Sequence, residues 1–114
     1  MITIYGIKNC DTMKKAFAWL DGQKLAYRFH DYKKAGVDRA QLTAWCAKAG
    51  WKTMVNTRGT TWRKLTPEQQ TVSTQAGAVA LMLENPSLIK RPVVEKGAQL
   101  LVGFDVQEYS QLLK

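Results

Sequence analysis

Cys10 is the residue of this chain with the clearest capacity for chemistry, because a cysteine thiolate is a nucleophile and this one stands where a thiolate is favoured. A strand-like run, Met1-Ile2-Thr3-Ile4-Tyr5, breaks at Gly6, and a helical period begins with Met13, Ala16, Phe17 and Leu20. Cys10 falls at the junction. There it meets the unpaired N–H groups and the positive end of the helix dipole, which lower a thiol below the roughly 8.5 of the free residue. Lys8 and Lys14 act in the same direction, and Asp11 opposes them.

Other reactive residue types read differently. Cys46 lies in the apolar stripe Leu42, Trp45, Cys46, Ala49 and is expected to be packed in the core. Arg58 precedes Gly59 in an irregular stretch, and Arg91 precedes Pro92, where a cis peptide is possible. His30 ends a strand and is assigned a structural role. Trp19, Trp45, Trp51 and Trp62 are assigned to packing. One histidine and two distant cysteines cannot assemble a zinc site, so no metal is expected.

The elements that must position Cys10 follow in order. Asp21-Gly22 reads as the stop of the first helix and 25–30 as a second strand, giving a βαβ unit with a parallel pair. Asp38 caps a helix that Gly50 closes. Residues 52–65 have neither helical nor strand period and read as loop and short turns. Thr66-Pro67-Glu68-Gln69 has the form of a capping box, interrupted at 71–74. A further helix turns Ala76, Val79, Ala80 and Leu83 inward and stops at Asn85-Pro86. Val93-Val94 and Leu100-Leu101-Val102 form a hairpin, and Asp105 caps a last helix with Val106, Tyr109, Leu112 and Leu113 inward. One α/β domain over 1–114 accounts for this order. It has a mixed four-stranded sheet in the thioredoxin arrangement, with a helical insertion at about 37–88 between the βαβ and ββα halves.

Composition bounds the partners. With 114 residues, 46% of them hydrophobic, the chain can bury a core without disulfides. Its formal charge of +8 attracts anions. The bases are scattered, and no helix carries a dense basic face with base-reading residues, so nucleic acid is not the expected partner. No apolar run reaches the length of a membrane span, no signal region opens the chain, and the cysteine usage fits a reducing cytoplasm.

Asn9-Cys10-Asp11-Thr12, then Lys14-Lys15-Ala16, Arg58, and Leu88-Ile89-Lys90-Arg91-Pro92-Val93 resemble the ArsC/Spx family over nearly the whole chain. The opening from Tyr5 to Ala16, His30-Asp31-Tyr32, the stretch from Arg58 to Leu65, and Leu101-Val102-Gly103-Phe104 resemble its short YffB branch. The resemblance implies a thioredoxin-like fold with Cys10 as nucleophile. Arsenate reductases of the family surround that cysteine with three arginines and release product through glutathione and glutaredoxin. Arg58 and Arg91 match two of them, while the third position falls near Val102, which implies poor arsenate reduction. Spx-type regulators bind the RNA polymerase α subunit and carry a second cysteine where this chain has Met13.

The expected function is a glutathione-dependent thiol/disulfide oxidoreductase with no bound cofactor. A lone thiolate needs an external thiol to release its adduct, and glutathione is the abundant anionic one. Arg58 and Arg91 would hold its carboxylates, Lys8, Lys14 and Asn9 would flank it, and the backbone before Pro92 would pair with a substrate peptide. Arsenate reduction and an Spx-like regulatory role are the alternatives.

Overall fold

The computed structural model describes all 114 residues. Four strands, β1 (Ile2–Gly6), β2 (Tyr27–Asp31), β3 (Val93–Lys96) and β4 (Gln99–Val102), form one sheet in the order β2-β1-β3-β4. β1 and β2 are parallel, whereas β1 with β3 and β3 with β4 are antiparallel. A parallel pair needs a crossover, and helix α1 (Asp11–Gly22) supplies it. This is the mixed α/β sheet expected from the pattern of elements. The chain divides into two compact units: a sheet unit of Met1–Gly36 with Arg91–Lys114, and a helical unit of Val37–Lys90.

In the sheet unit, strand alternation sends Ile2, Ile4, Val94 and Leu101 to one face. There they join Met13, Ala16 and Leu20 of α1 with Tyr109 and Leu113 at the C-terminal helix α7 (Val106–Leu112). Each large side chain so buried stabilises by about 1.5–3 kcal/mol. Phe17, expected inward, is only half-buried and packs against the rings of Tyr27 and Phe29. Gly6 lets α1 approach the sheet, because a Cβ there would collide with the Met13 sulfur. The hairpin turns through Gly97, φ 59, with Lys96 paired to Gln99. Asp105 caps α7 by accepting from the Glu108 N–H at 3.1 Å. Val106, expected inward, is 50% exposed, because it stands in the first helical position ahead of the buried face.

α1 ends at Gly22, as expected, but Gly22 is not the left-handed stop. Gly22 remains helical, and the left-handed position is taken by Lys24, φ 58. The Leu25 N–H reaches the Leu20 carbonyl and the Lys24 N–H reaches that of Asp21, both at 3.0 Å, which is a Schellman closure with lysine in the glycine place. The turn also delays β2, which starts at Tyr27 rather than Leu25. Asp31 then accepts from the Lys33 N–H and starts an unexpected single turn, α2 (Tyr32–Ala35).

The helical unit begins with α3 (Arg39–Ala49), capped by Asp38 at 2.8 Å from the Gln41 N–H and closed at Gly50, φ 90. Its buried face is Leu42, Trp45 and Cys46, so Cys46 is a core residue as expected. Residues read as loop contain two single turns, α4 (Trp51–Met54) and α5 (Thr60–Arg63). The capping box closes reciprocally, Thr66 N–H to Gln69 Oε1 at 2.9 Å and Gln69 N–H to Thr66 Oγ1 at 3.1 Å. It launches only a 3-10 turn, Gln69–Thr71, because polar and β-branched residues follow. In α6 (Gln75–Glu84) the buried residues are Ala78, Val79, Leu81 and Met82, while Ala76 and Ala80 are exposed. Val79 is buried as expected and Leu83 half-buried, but apolar residues encircle this helix, so periodicity alone does not select the buried face. No helix is long and apolar enough to cross a membrane.

A lysine held at positive φ is strained relative to glycine by roughly 1 kcal/mol. Lys24→Gly is therefore expected to stabilise the protein by about that amount, seen as a higher urea midpoint at unchanged slope. An unchanged or lower midpoint would contradict the Schellman assignment.

Candidate active site

Cys10 occupies the N-cap of α1 with extended backbone, φ −137 and ψ 132, and its carbonyl accepts the first helical N–H, from Lys14, at 3.0 Å. The residue is half-buried. Its sulfur makes no cap hydrogen bond of regular geometry. Even so, the nearby donors and charge decide its acidity. Partial burial pushes the thiol up, but the Met13 N–H, the Arg91 charge, the Thr12 N–H and a hydrogen bond from Arg91 together outweigh it, so the thiol lies below its usual range. The cation that matters is Arg91, supplied from the far end of the chain. Lys8, Asn9 and Lys14 are exposed side chains.

Arg91 is half-buried and precedes a cis peptide to the buried Pro92. The Pro92 carbonyl accepts from the Gly103 N–H at 2.8 Å, and the Gly103 carbonyl accepts from the buried Tyr109 hydroxyl at 2.8 Å. Gly103 adopts φ 86, a conformation that favours glycine. The backbone next to Arg91 is thus tied through β4 to α7. Sequence reasoning assigned Tyr109 to the core and missed this tether. Its signal was the Val102-Gly103-Phe104 glycine after a strand.

The sheet face opposite α1 carries a second group of polar side chains. Tyr5 donates to Glu95 Oε1 at 2.7 Å. The His30 ring lies 5.1 Å from that of Tyr5 and 5.9 Å from that of Tyr32, and His30 Nε2 is 2.9 Å from the Gly36 carbonyl. A carbonyl only accepts, so Nε2 carries the proton. This bond makes His30 a strut for the turn after α2, in keeping with the structural role read from sequence. The Tyr32 hydroxyl is buried without a partner. Burial drives its phenol strongly upward, Tyr5 and Glu95 add to this, and Arg91 opposes it.

The model of the ArsC family matches residues 5–112. The chain belongs to the ArsC family. A solved structure called the YffB protein is 53% identical over the full length of both chains, with a TM-score of 0.96. An arsenate reductase (ArsC) related protein from Brucella melitensis is 46% identical over 99% of this chain and 94% of its own, with a TM-score of 0.78. The global transcriptional regulator Spx of Streptococcus agalactiae is 27% identical over 99% of this chain and 83% of its own.

Against this ArsC background, the structure brings Cys10, Arg91 and Pro92 together in the sheet unit. Val102 is half-buried opposite Val93 and presents no charge. Met13, three residues after Cys10, is fully buried in the core. Arg58 belongs to the helical unit, exposed, with its N–H donating to Asn56 Oδ1 at 3.1 Å. Cys46 is buried, and burial pushes its thiol up.

Because the Cys10 thiol is lowered, its thiolate persists to lower pH than that of an ordinary cysteine. Its contribution to stability is present above the unfolded-state pKa and is lost as pH falls through the folded one. Alkylation of the native protein by iodoacetamide should therefore reach its half-maximal rate below the pH of a free thiol, at Cys10 and not at Cys46. Arg91→Gln should move that midpoint upward. A midpoint indifferent to Arg91 would remove the arginine from the site.

Proposed function

We propose that this ArsC-family chain is a thiol/disulfide oxidoreductase that uses Cys10 as its one nucleophile and glutathione as the external resolving thiol. The observation that carries the reading is the half-exposed Cys10 sulfur at a helix N-terminus, with acidity set by N–H groups and Arg91, and with a buried methionine at the position of a second thiol. The Cys10 thiolate attacks one sulfur of a disulfide. The S–S bond breaks, and the other sulfur leaves with the electron pair and takes a proton from solvent. The resulting mixed disulfide on Cys10 is cleaved by glutathione thiolate. This regenerates Cys10 and leaves the carried thiol in disulfide linkage with glutathione. Arg91 holds the leaving or entering thiolate by charge, and Lys8 and Lys14 add attraction that salt screens beyond about 8–10 Å.

Cys10→Ser is expected to abolish glutathione-dependent reduction of a small mixed disulfide while leaving the thermal midpoint within a degree or two of wild type, since a half-exposed thiol contributes little packing. Turnover that survives the substitution would end this reading.

Arsenate reduction is the second reading, supported by a solved relative called arsenate reductase related. It demands positive charge around a tetrahedral oxyanion, and Val102 offers none. Wild type should turn over arsenate poorly with glutathione and glutaredoxin, and Val102→Arg should raise the rate several-fold. A wild-type rate that the added arginine fails to improve would show that Val102 is not the missing clamp.

A further inference from the structure

Within the helical unit, the stretch from Trp51 to Val72 is held in place although much of it fills no core. α5 contributes no buried residue, and neither does the turn Gln69–Thr71. Hydrogen bonds fix it instead. The Asn56 N–H reaches the Leu88 carbonyl at 2.8 Å, and the Lys90 N–H reaches that of Met54 at 2.7 Å, around a bridge between Val55 and Ile89. The Arg58 N–H donates to Asn56 Oδ1 at 3.1 Å, and Gln70 Nε2 donates to the Trp62 carbonyl at 2.8 Å.

The surface so fixed holds two adjoining clefts. One, of about 400 Å³, is polar and carries the cations Lys52, Arg58 and Lys90 with no acidic residue in its lining. The other, of about 330 Å³, runs between Trp51, Trp62 and Val72. Lys52, Val55 and Thr57 line both, and Lys52 Nζ lies 5.7 Å from the centre of the Trp51 ring. Each cleft is within the size range of small-molecule sites, about 300–1,000 Å³.

We propose that the two clefts form one binding site for a small organic anion in which an apolar ring carries a carboxylate or a similar acid. The ring stacks between Trp51 and Trp62, and the acid is held by Lys52, Arg58 and Lys90. A bare inorganic anion would leave the indole walls wet, and a neutral ring would make no use of the three cations. The site lies within one unit and needs no thiol, so it stands whether or not Cys10 performs the chemistry proposed above.

Naphthoate is a suitable probe, read by proton–nitrogen correlation spectra of the full chain, in which Trp19, Trp45, Trp51 and Trp62 each give an indole signal. Naphthoate is expected to move the Trp51 and Trp62 signals saturably and leave those of Trp19 and Trp45 in place. Naphthylmethanol and acetate, which each keep half of the probe, should bind at least about tenfold more weakly, and Arg58→Gln and Lys90→Gln should each weaken naphthoate about fivefold or more. Trp62→Ala should abolish naphthoate binding while the Trp19 and Trp45 signals certify the fold. Cys10→Ser should bind as wild type does. Unmoved Trp51 and Trp62 signals at millimolar probe, equal movement of all four, equal binding of the neutral analogue, or loss of binding in Cys10→Ser would each overturn the proposal.

Discussion

The attraction between Arg91 and the Cys10 sulfur is the interaction on which the chemistry proposed for this protein depends. Burial alone would leave Cys10 a poor nucleophile at neutral pH, since desolvation is the largest single influence on it and acts to keep the proton. Two backbone N–H groups and one guanidinium outweigh it and bring the thiol below its usual range. The N–H groups are local, a consequence of placing the residue at the first turn of α1. The guanidinium is not. It arrives across some eighty residues of chain, and only the pairing of β3 with β1 brings it there.

Much of the sheet unit serves that placement. Gly6 lets α1 lie close to the sheet, which fixes where Cys10 emerges. On the opposite side, Gly103 accepts from Tyr109 and donates to Pro92, so α7 is linked to the backbone that carries Arg91. Removing a hydrogen bond of this buried kind typically costs about 1–3 kcal/mol. The tether is therefore strong enough to define a conformation and modest enough to be altered by single substitutions.

The sequence was most legible where short-range signals and tertiary demands coincide. The strands, the caps at Asp38 and Asp105, the stop at Gly50 and the buried Cys46 were all readable, because each rests on a local rule that the packing also obeys. The failures have physical causes. Lys24 occupies a position that propensity gives to glycine, so the residue that closes α1 after Gly22 was not readable. α6 is apolar on every side, so its buried face could be decided only by its neighbours. Lys8 and Lys14 looked like the natural partners of Cys10 by proximity in sequence, yet both are exposed, and the effective cation was the distant Arg91. The Tyr109 tether went unread, although Gly103 hinted at it, because one side chain supplies both a core ring and a donor.

The pairing of Arg91 with Cys10 also has a consequence for timing. Any covalent bond at the sulfur extinguishes its negative charge, while the guanidinium beside it keeps its own. In the proposed reaction the occupied state is thus more cationic than the thiolate state, and it would draw anions more strongly at the moment when a second thiolate must enter. Release restores the balance and relaxes that pull. Under that mechanism a single arginine would make the charge of the site rise and fall with each turnover.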